Sequence, residues 1–121
     1  MRETQSFLID IIKIVPVNTV CYIQAPSLDE SEILRMLQPS EYNYYRQITL
    51  TPENKTELIN IISSENIEEY FHNLEIKEDN LLVVQAHDGM EIGIISKSFK
   101  VPDWFVDKYV KTEMCLVSSE W

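Results

Sequence analysis

The stretch LLVVQAHDGMEIGII at residues 81–95 decides the fold of this chain. Its first seven residues form a nearly continuous apolar run, which is typical of a central strand buried on both faces. Asp88-Gly89 then supplies the positive φ angles that a two-residue hairpin turn needs. Residues 90–95 alternate in polarity, as a second strand does. The stretch therefore predicts an antiparallel β-hairpin.

Helical and β-strand patterns follow one another irregularly along the rest of the chain. This order is typical of one sheet with helices packed on it, and 121 residues leave room for one core. The sequence therefore predicts a single α+β domain over residues 1–121, with a mixed, mainly antiparallel sheet of about five strands. Helices are predicted over residues 3–15, 28–37, 52–62, 65–74 and 102–110, and strands over 18–24, 43–50, 81–87, 90–95 and 112–118.

Capping residues predict where two of these helices begin. Ser27 and Glu30 have the spacing of a capping box, in which each side chain satisfies a free backbone N–H at the start of a helix. Thr51 is a favoured N-cap residue, and Pro52 has the fixed φ angle that suits a first helical position. We therefore expect one helix to follow Ser27 and another to begin at Pro52.

Residues 65–74 have the clearest amphipathic pattern in the chain. Apolar side chains recur at Ile67, Tyr70, Phe71 and Leu74, which is the spacing of a stripe along one side of a helix. The opposite side of this predicted helix is rich in acidic residues, so it is a candidate binding surface. That side carries Glu65, Glu68, Glu69 and His72.

The chain as a whole is strongly acidic. It has 20 acidic and 10 basic residues, which gives a formal net charge of -10. Residues 29–79 carry most of this charge. A negative field attracts basic proteins and repels nucleic acid and anionic membranes. The two glycines are too few for a glycine-rich phosphate-binding loop. We therefore expect a basic protein partner, and neither nucleic acid nor a membrane.

Tyrosines next to acidic residues are the candidate anchors for such a partner. Residues 41–45, EYNYY, hold three tyrosines, and a short segment does not bury all three, so we expect Tyr42 to be exposed. An acidic surface also serves solubility alone, and the sequence leaves both interpretations open. The predicted partner-binding residues are Asp29, Glu32, Glu41, Tyr42, Glu65, Glu68, Glu69 and Trp104.

Residues with catalytic or metal-binding chemistry are scattered through the sequence. His87 beside Asp88 could act as a base with its orienting partner, but the turn explains Asp88 better. His72 lies on the polar side of its predicted helix. Cys21 and Cys115 lie in apolar runs that are typical of buried, reduced thiols. The sequence therefore predicts a protein that is not an enzyme and that needs no metal or cofactor.

The stretch LLVVQAHDGMEIGIISKSFKVPDWFVDKYV, residues 81–110, resembles parts of known immunity proteins. Together with the acidic single-domain profile, its order of strand, Asp-Gly, strand, Ser and helix is similar to endings found in small immunity proteins of bacterial contact-dependent growth inhibition and polymorphic toxin systems. No residue roles transfer, because immunity families differ in fold. The resemblance implies a cytoplasmic protein that binds and neutralises one cognate toxin, commonly a basic nuclease.

Three hypotheses about function follow from the sequence. The first is an immunity protein that covers the active site of a basic toxin. The second is an accessory or regulatory subunit that docks through an apolar patch around Trp104 and Trp121, and the third is a small enzyme or ligand-binding domain with polar groups near His87. The apolar run at residues 7–15 contains two charged residues and is too short for a membrane span, so we expect a cytoplasmic location.

Overall fold

One mixed sheet and four helices make up residues 2–121, the part of the chain that the computed structural model describes. The predicted α+β class is therefore confirmed. The helices are α1 (Glu3–Ile14), α2 (Ser31–Met36), α3 (Pro52–Ser64) and α4 (Asp103–Phe105, continued by a π-helical turn at Val106–Val110). The strands are β1 (Val20–Gln24), β2 (Gln38–Pro39), β3 (Arg46–Thr49), β4 (Asn73–Glu78), β5 (Leu81–His87), β6 (Ile92–Ile95) and β7 (Cys115–Val117).

The sheet has the strand order β2-β3-β1-β4-β5-β6-β7. Every neighbouring pair is antiparallel except β6 and β7, which run parallel because α4 crosses between them. The prediction of a mixed, mainly antiparallel sheet is confirmed, but the expected number of about five strands is wrong, since residues 2–121 form seven. The two additional strands are β2, which has only two residues, and β4, where the sequence pattern predicts no strand.

The helix predicted over residues 65–74 is wrong. A single 3-10 turn, Glu68–Tyr70, is followed by β4, which begins at Asn73. Leu74 and Ile76 point to the covered side of the sheet, and the polar residues between them point to the other side. β4 lies between β1 and β5 near the middle of the sheet, so pairing with two neighbouring strands outweighs the local helical spacing.

The predicted hairpin is confirmed, but its loop is longer than expected. His87 pairs with Ile92, so four residues lie between the strands, and not two. Asp88, Gly89 and Met90 all have positive φ angles. Met90 is buried, and its place in the core removes it from the second strand. β6 therefore begins two residues later than predicted.

The two predicted helix starts have different outcomes. Thr51 caps α3 by accepting a hydrogen bond from the backbone N–H of Asn54, and Pro52 is the first helical residue, as expected. The capping box at Ser27 is wrong. The carboxylate of Glu30 itself caps α2, because it accepts hydrogen bonds from the two backbone N–H groups at positions 32 and 33.

The sheet has one covered face and one open face. Val84 and Ala86 of β5 are buried on the covered face, whereas Gln85 and His87 on the open face are only half-buried. Leu81 at the start of β5 is 72% exposed. The position of β5 inside the sheet agrees with the prediction, and Val83 is buried as well, but the burial of the second face is only partial.

Three aromatic rings join α1 to the covered face at β6. The ring centroid of Phe7 lies 6.2 Å from that of Phe105 and 4.9 Å from that of Tyr109. Gly93 lies against the Phe7 ring, and a Cβ atom at this position would come within 2.4 Å of Cζ of Phe7. Because all three rings are buried, the Phe7 ring has no free space into which it can move.

We expect Gly93→Ala to lower the free energy of unfolding by about 1–3 kcal/mol, since the added methyl group overlaps the Phe7 ring. Urea denaturation measures this loss. In a Phe7→Leu background the ring is absent, so the same glycine substitution costs less there. An equal loss in both backgrounds contradicts the overlap.

Both cysteines are free thiols in the core. Cys21 lies in β1 and Cys115 in β7, and each is buried, in agreement with the predicted environment. Burial raises the pKa of each thiol to about 12, because the apolar surroundings disfavour the charged thiolate. Thiolates are the reactive form, so neither side chain is poised for chemistry at neutral pH.

We expect the two thiols to react with a thiol reagent at pH 8 only as fast as the protein opens. The same burial makes the free energy of unfolding depend on pH. Because the thiol pKa is higher in the folded protein than in the unfolded chain, the unfolded chain loses its thiol protons first, and the free energy of unfolding falls as the pH rises above about 8.5. The reaction is followed at increasing urea concentrations, with the unfolded protein as control. Fast reaction of either thiol in the native state contradicts this prediction.

Candidate partner-binding surface

Glu68 is not exposed at the protein surface. The 3-10 turn directs its side chain inward, where it is fully buried. Its Oε1 accepts a hydrogen bond from the hydroxyl of Thr4 at 3.2 Å, and its Oε2 has no hydrogen-bond partner among residues 2–121. The sequence predicts Glu68 to be exposed on the acidic side of a helix, and that expected exposure is wrong.

Glu65 and Glu69 remain exposed, but they do not share a helix face. Glu65 follows the last residue of α3, and Glu69 lies in the 3-10 turn. Nη1 of Arg2 donates to Oε2 of Glu69 at 3.0 Å. This hydrogen bond is the main reason why the pKa of Arg2 is raised. Both side chains are about half exposed, and such ion pairs contribute little to stability.

The tip of the hairpin adds further carboxylates beside Glu69. The backbone N–H of Gly89 donates to the carbonyl oxygen of Phe71 at 2.8 Å, and that of Asp88 donates to the carbonyl oxygen of His72 at 3.0 Å. Gly89 approaches the 3-10 turn so closely that a Cβ atom would lie 3.2 Å from Cα of Glu69. We call the exposed group Glu65, Glu69, Asp88 and Glu91 the acidic end.

The loop before β3 presents a second and more aromatic surface. Tyr42 is 38% exposed, as expected, but Tyr44 is far more exposed, at 88%. Tyr44 has a φ angle of 71°, so the predicted strand does not include it, and β3 begins only at Arg46. The left-handed conformation costs an L-residue roughly 1–2 kcal/mol, and it turns the Tyr44 ring outward.

Residues 40–45, which we call the Tyr44 loop, are held in place by contacts on two sides. Ser40 and Tyr42 exchange two hydrogen bonds of 3.0 Å through the serine hydroxyl. The Tyr42 ring packs edge-on against Tyr22 of β1, with ring centroids 5.1 Å apart. Nζ of Lys77 donates to the Tyr42 hydroxyl at 3.1 Å and lies 4.4 Å from the ring centroid. The hydrogen bond raises the pKa of Lys77, which keeps the ammonium charged.

Acidic residues lie within this loop and near it in the fold. A small cavity of about 150 Å³ connects Tyr44 and Arg46 with Leu28 and Leu34, and so brings α2 and the residues before it next to the loop. The acidic residues of this region are therefore close to an exposed aromatic ring. We call this surface the tyrosine edge, and it consists of Asp29, Glu32, Glu41, Tyr42 and Tyr44.

Trp104 does not belong to either surface. It is half-exposed on α4 and packs edge-on against Phe105, with ring centroids 6.0 Å apart. The helical segment that follows it contacts β7, whereas the tyrosine edge lies at β2 and β3, at the other edge of the sheet. The predicted binding residues therefore fall into separate regions, of which the tyrosine edge unites Asp29, Glu32, Glu41 and Tyr42.

His87 does not pair with Asp88. Its Nδ1 lies 2.6 Å from Oδ1 of Asn73, whose Nδ2 donates to Oε1 of Gln24 at 2.5 Å. Since the Asn73 amide nitrogen donates to Gln24, the Asn73 amide oxygen faces His87 and accepts a hydrogen bond from its Nδ1–H. These three residues form a row across β5, β4 and β1 on the open face. The structure therefore does not form the base-and-carboxylate arrangement considered from the sequence.

The group of residues most similar to a catalytic site lies between α1 and α4. Asp10 Oδ2 accepts from Lys108 Nζ at 2.9 Å and from the Tyr109 hydroxyl at 2.6 Å, and Ser6 Oγ lies 2.9 Å from Lys108. The hydrogen bond to Asp10 raises the pKa of Lys108, and burial raises the pKa of Tyr109. Both groups therefore stay protonated at neutral pH, so neither can act as a base toward Ser6.

Comparisons with known proteins do not assign this chain to a family. No protein-family description, curated protein or solved structure matches it. Among residues 2–121, no helix is long and apolar enough to cross a membrane, and no three His, Cys, Asp or Glu side chains come together as metal ligands would.

We expect Lys77→Met to loosen the Tyr44 loop without unfolding the sheet. The methionine keeps the apolar stem but loses the hydrogen bond and the cation–π contact to Tyr42, together worth about 1 kcal/mol. Amide hydrogen exchange of residues 42–45 should therefore rise about fivefold. Lys111→Met is the control, since Lys111 contacts Asp107 far along the chain. Unchanged exchange in the Lys77 variant means that Lys77 does not hold the loop.

Proposed function

We propose that this chain is an immunity protein, a non-catalytic cytoplasmic protein that binds and neutralises a cognate basic toxin domain. The observation that carries the proposal is the 88% exposure of Tyr44 in a left-handed conformation. An aromatic ring held in water in a strained conformation is costly for the free protein, and such strain concentrates at functional sites. Tyrosine is also among the residues that contribute most to binding energy at protein interfaces.

The packing of the Tyr44 loop supports a role in tight binding. Tyr22, Tyr42 and Lys77 fix the loop before any partner arrives. A surface that is already ordered loses little conformational freedom on binding, so more of the contact energy remains as affinity. Tyr44 would enter a pocket of the partner, and Asp29, Glu32 and Glu41 would pair with basic side chains around that pocket.

Charge supports the choice of a basic partner. The net charge of -10 and the acidic end create a negative field that speeds the approach of a basic domain. If the toxin is a nuclease, its active site holds basic residues that bind phosphate. Carboxylates of the tyrosine edge would occupy those residues and exclude the nucleic acid.

One observation favours the alternative of an accessory subunit. Ile92 and Leu116 are half-exposed on the open face of the sheet, and Ile94, which is paired with Leu116, lies between them. An apolar patch of this kind suits a permanent contact with another subunit. Binding through this patch would show little dependence on salt, whereas binding through the tyrosine edge would weaken as salt rises.

The first experiment compares partners captured by the wild-type protein and by a Tyr44→Ala variant. Tagged protein is incubated with lysate of its own cells at low and high salt, and bound proteins are identified by mass spectrometry. We expect one basic domain in near-equal amount with the wild type and much less with the variant. A partner that is retained equally by both proteins contradicts a role for Tyr44.

A second experiment measures binding of that purified domain. Reversal of three charges on the tyrosine edge, Asp29→Lys, Glu32→Lys and Glu41→Lys, should weaken affinity more than about tenfold. Glu53→Lys, Glu57→Lys and Glu120→Lys form the matched control, because they change the net charge equally at exposed positions elsewhere. Equal losses in both triple variants would mean that only net charge matters, and would overturn the proposed surface.

A further inference from the structure

A cavity of about 630 Å³ opens at the end of α1, and no residue of the tyrosine edge lines it. Its walls are the turn between β4 and β5, the segment that follows β6, and Trp121. The volume is within the range of pockets that hold small organic molecules. The cavity is lined mainly by apolar side chains, which are Ile14, Leu81, Leu82, Val83, Phe99 and Trp121.

The walls of this cavity are ordered by local hydrogen bonds. Glu78 pairs with Leu81, so the β4–β5 turn has two residues, both with positive φ angles. On the other side, the backbone N–H of Lys97 donates to the carbonyl oxygen of Trp121 at 2.8 Å, and that of Phe99 donates to the carbonyl oxygen of Ser96 at 3.0 Å. The cavity therefore exists without a ligand to shape it.

The segment that follows β6 contributes hydrogen-bond donors to the cavity. Lys97 and Lys100 line it, and neither has an acidic partner within 4 Å among residues 2–121. Ser96 also lines the cavity and is buried. Its hydroxyl accepts from the N–H of Ser98 at 3.1 Å, but its own proton has no acceptor among the hydrogen bonds of the described residues. Two ammonium groups and a free O–H suit a carboxylate.

Two acidic residues also line the cavity. Glu78 and Asp79 are exposed at the β4–β5 turn, where water surrounds them. Leu81, at 72% exposure, lines the cavity and would be covered by an apolar ligand.

We propose that this cavity binds a small amphiphile with one carboxylate end and an unbranched apolar body, as in a medium-chain fatty acid. The carboxylate lies between the two lysines and accepts a hydrogen bond from the Ser96 hydroxyl. The chain lies on Leu81, Phe99 and Trp121, and its burial supplies most of the binding energy. This activity is separate from partner binding at the tyrosine edge and does not depend on it.

The test uses decanoate as the probe and Trp121 as the reporter. In a Trp104→Phe background, Trp121 is the one remaining tryptophan, so its fluorescence reports on the cavity. Decanoate is titrated below its micelle concentration, and decyltrimethylammonium, with the same chain length and a positive head, is titrated in parallel. We expect saturable one-to-one binding of decanoate and much weaker binding of the cation. Tighter binding of the cation, or no saturable binding of decanoate, overturns the proposal.

The lysines are tested by charge reversal. Lys97→Glu with Lys100→Glu should weaken decanoate binding at least about tenfold, because two attractions become repulsions. Lys111→Glu with Arg35→Glu is the matched control, with the same change in net charge at exposed residues outside the cavity. Lys100→Gln, a single neutral change, should weaken binding in the same direction even if the double reversal lowers stability. Unchanged affinity in the Lys97 and Lys100 variants overturns the assignment.

Discussion

The packing of Phe7 against Gly93 is the contact on which the rest of this structure depends. The ring joins α1 to β6, and through Phe105 and Tyr109 it also joins both elements to α4. α4 must lie there for β7 to run parallel to β6, since a parallel neighbour needs a crossover on one face of the sheet. Asp10, one helical turn from Phe7, adds hydrogen bonds to Lys108 and Tyr109.

The sequence predicts the elements whose determinants are local. Thr51 and Pro52 suffice to place the start of α3, and Asp88-Gly89 suffices to place the hairpin. The segment before β4 shows the limit, because Leu74 fits both a helical stripe and the inward positions of a strand. Only its pairing with β1 and β5 decides between the two, and that pairing depends on residues far away in the sequence.

The candidate surface was predictable in its chemistry but not in its geometry. Acidic residues beside tyrosines identify the region of the tyrosine edge, and Tyr42 is exposed as expected. Tyr44 is the more exposed ring because its left-handed φ angle removes it from the strand, and composition does not reveal that angle. Glu68 is buried because a 3-10 turn replaces a helix, and Asp88 joins Glu69 only after the hairpin packs on that turn.

The long separation in sequence between Phe7 and the two rings that bury it also governs when the chain can fold during its synthesis. Phe7 leaves the ribosome early, but Phe105 and Tyr109, which bury it, are made close to a hundred residues later. Before these two residues are made, the apolar face of α1 lacks the rings against which it packs. Exposed apolar faces of this kind attract chaperones and promote aggregation. At about 5–20 residues per second, the newly made protein passes several seconds in this unprotected condition before its core can close.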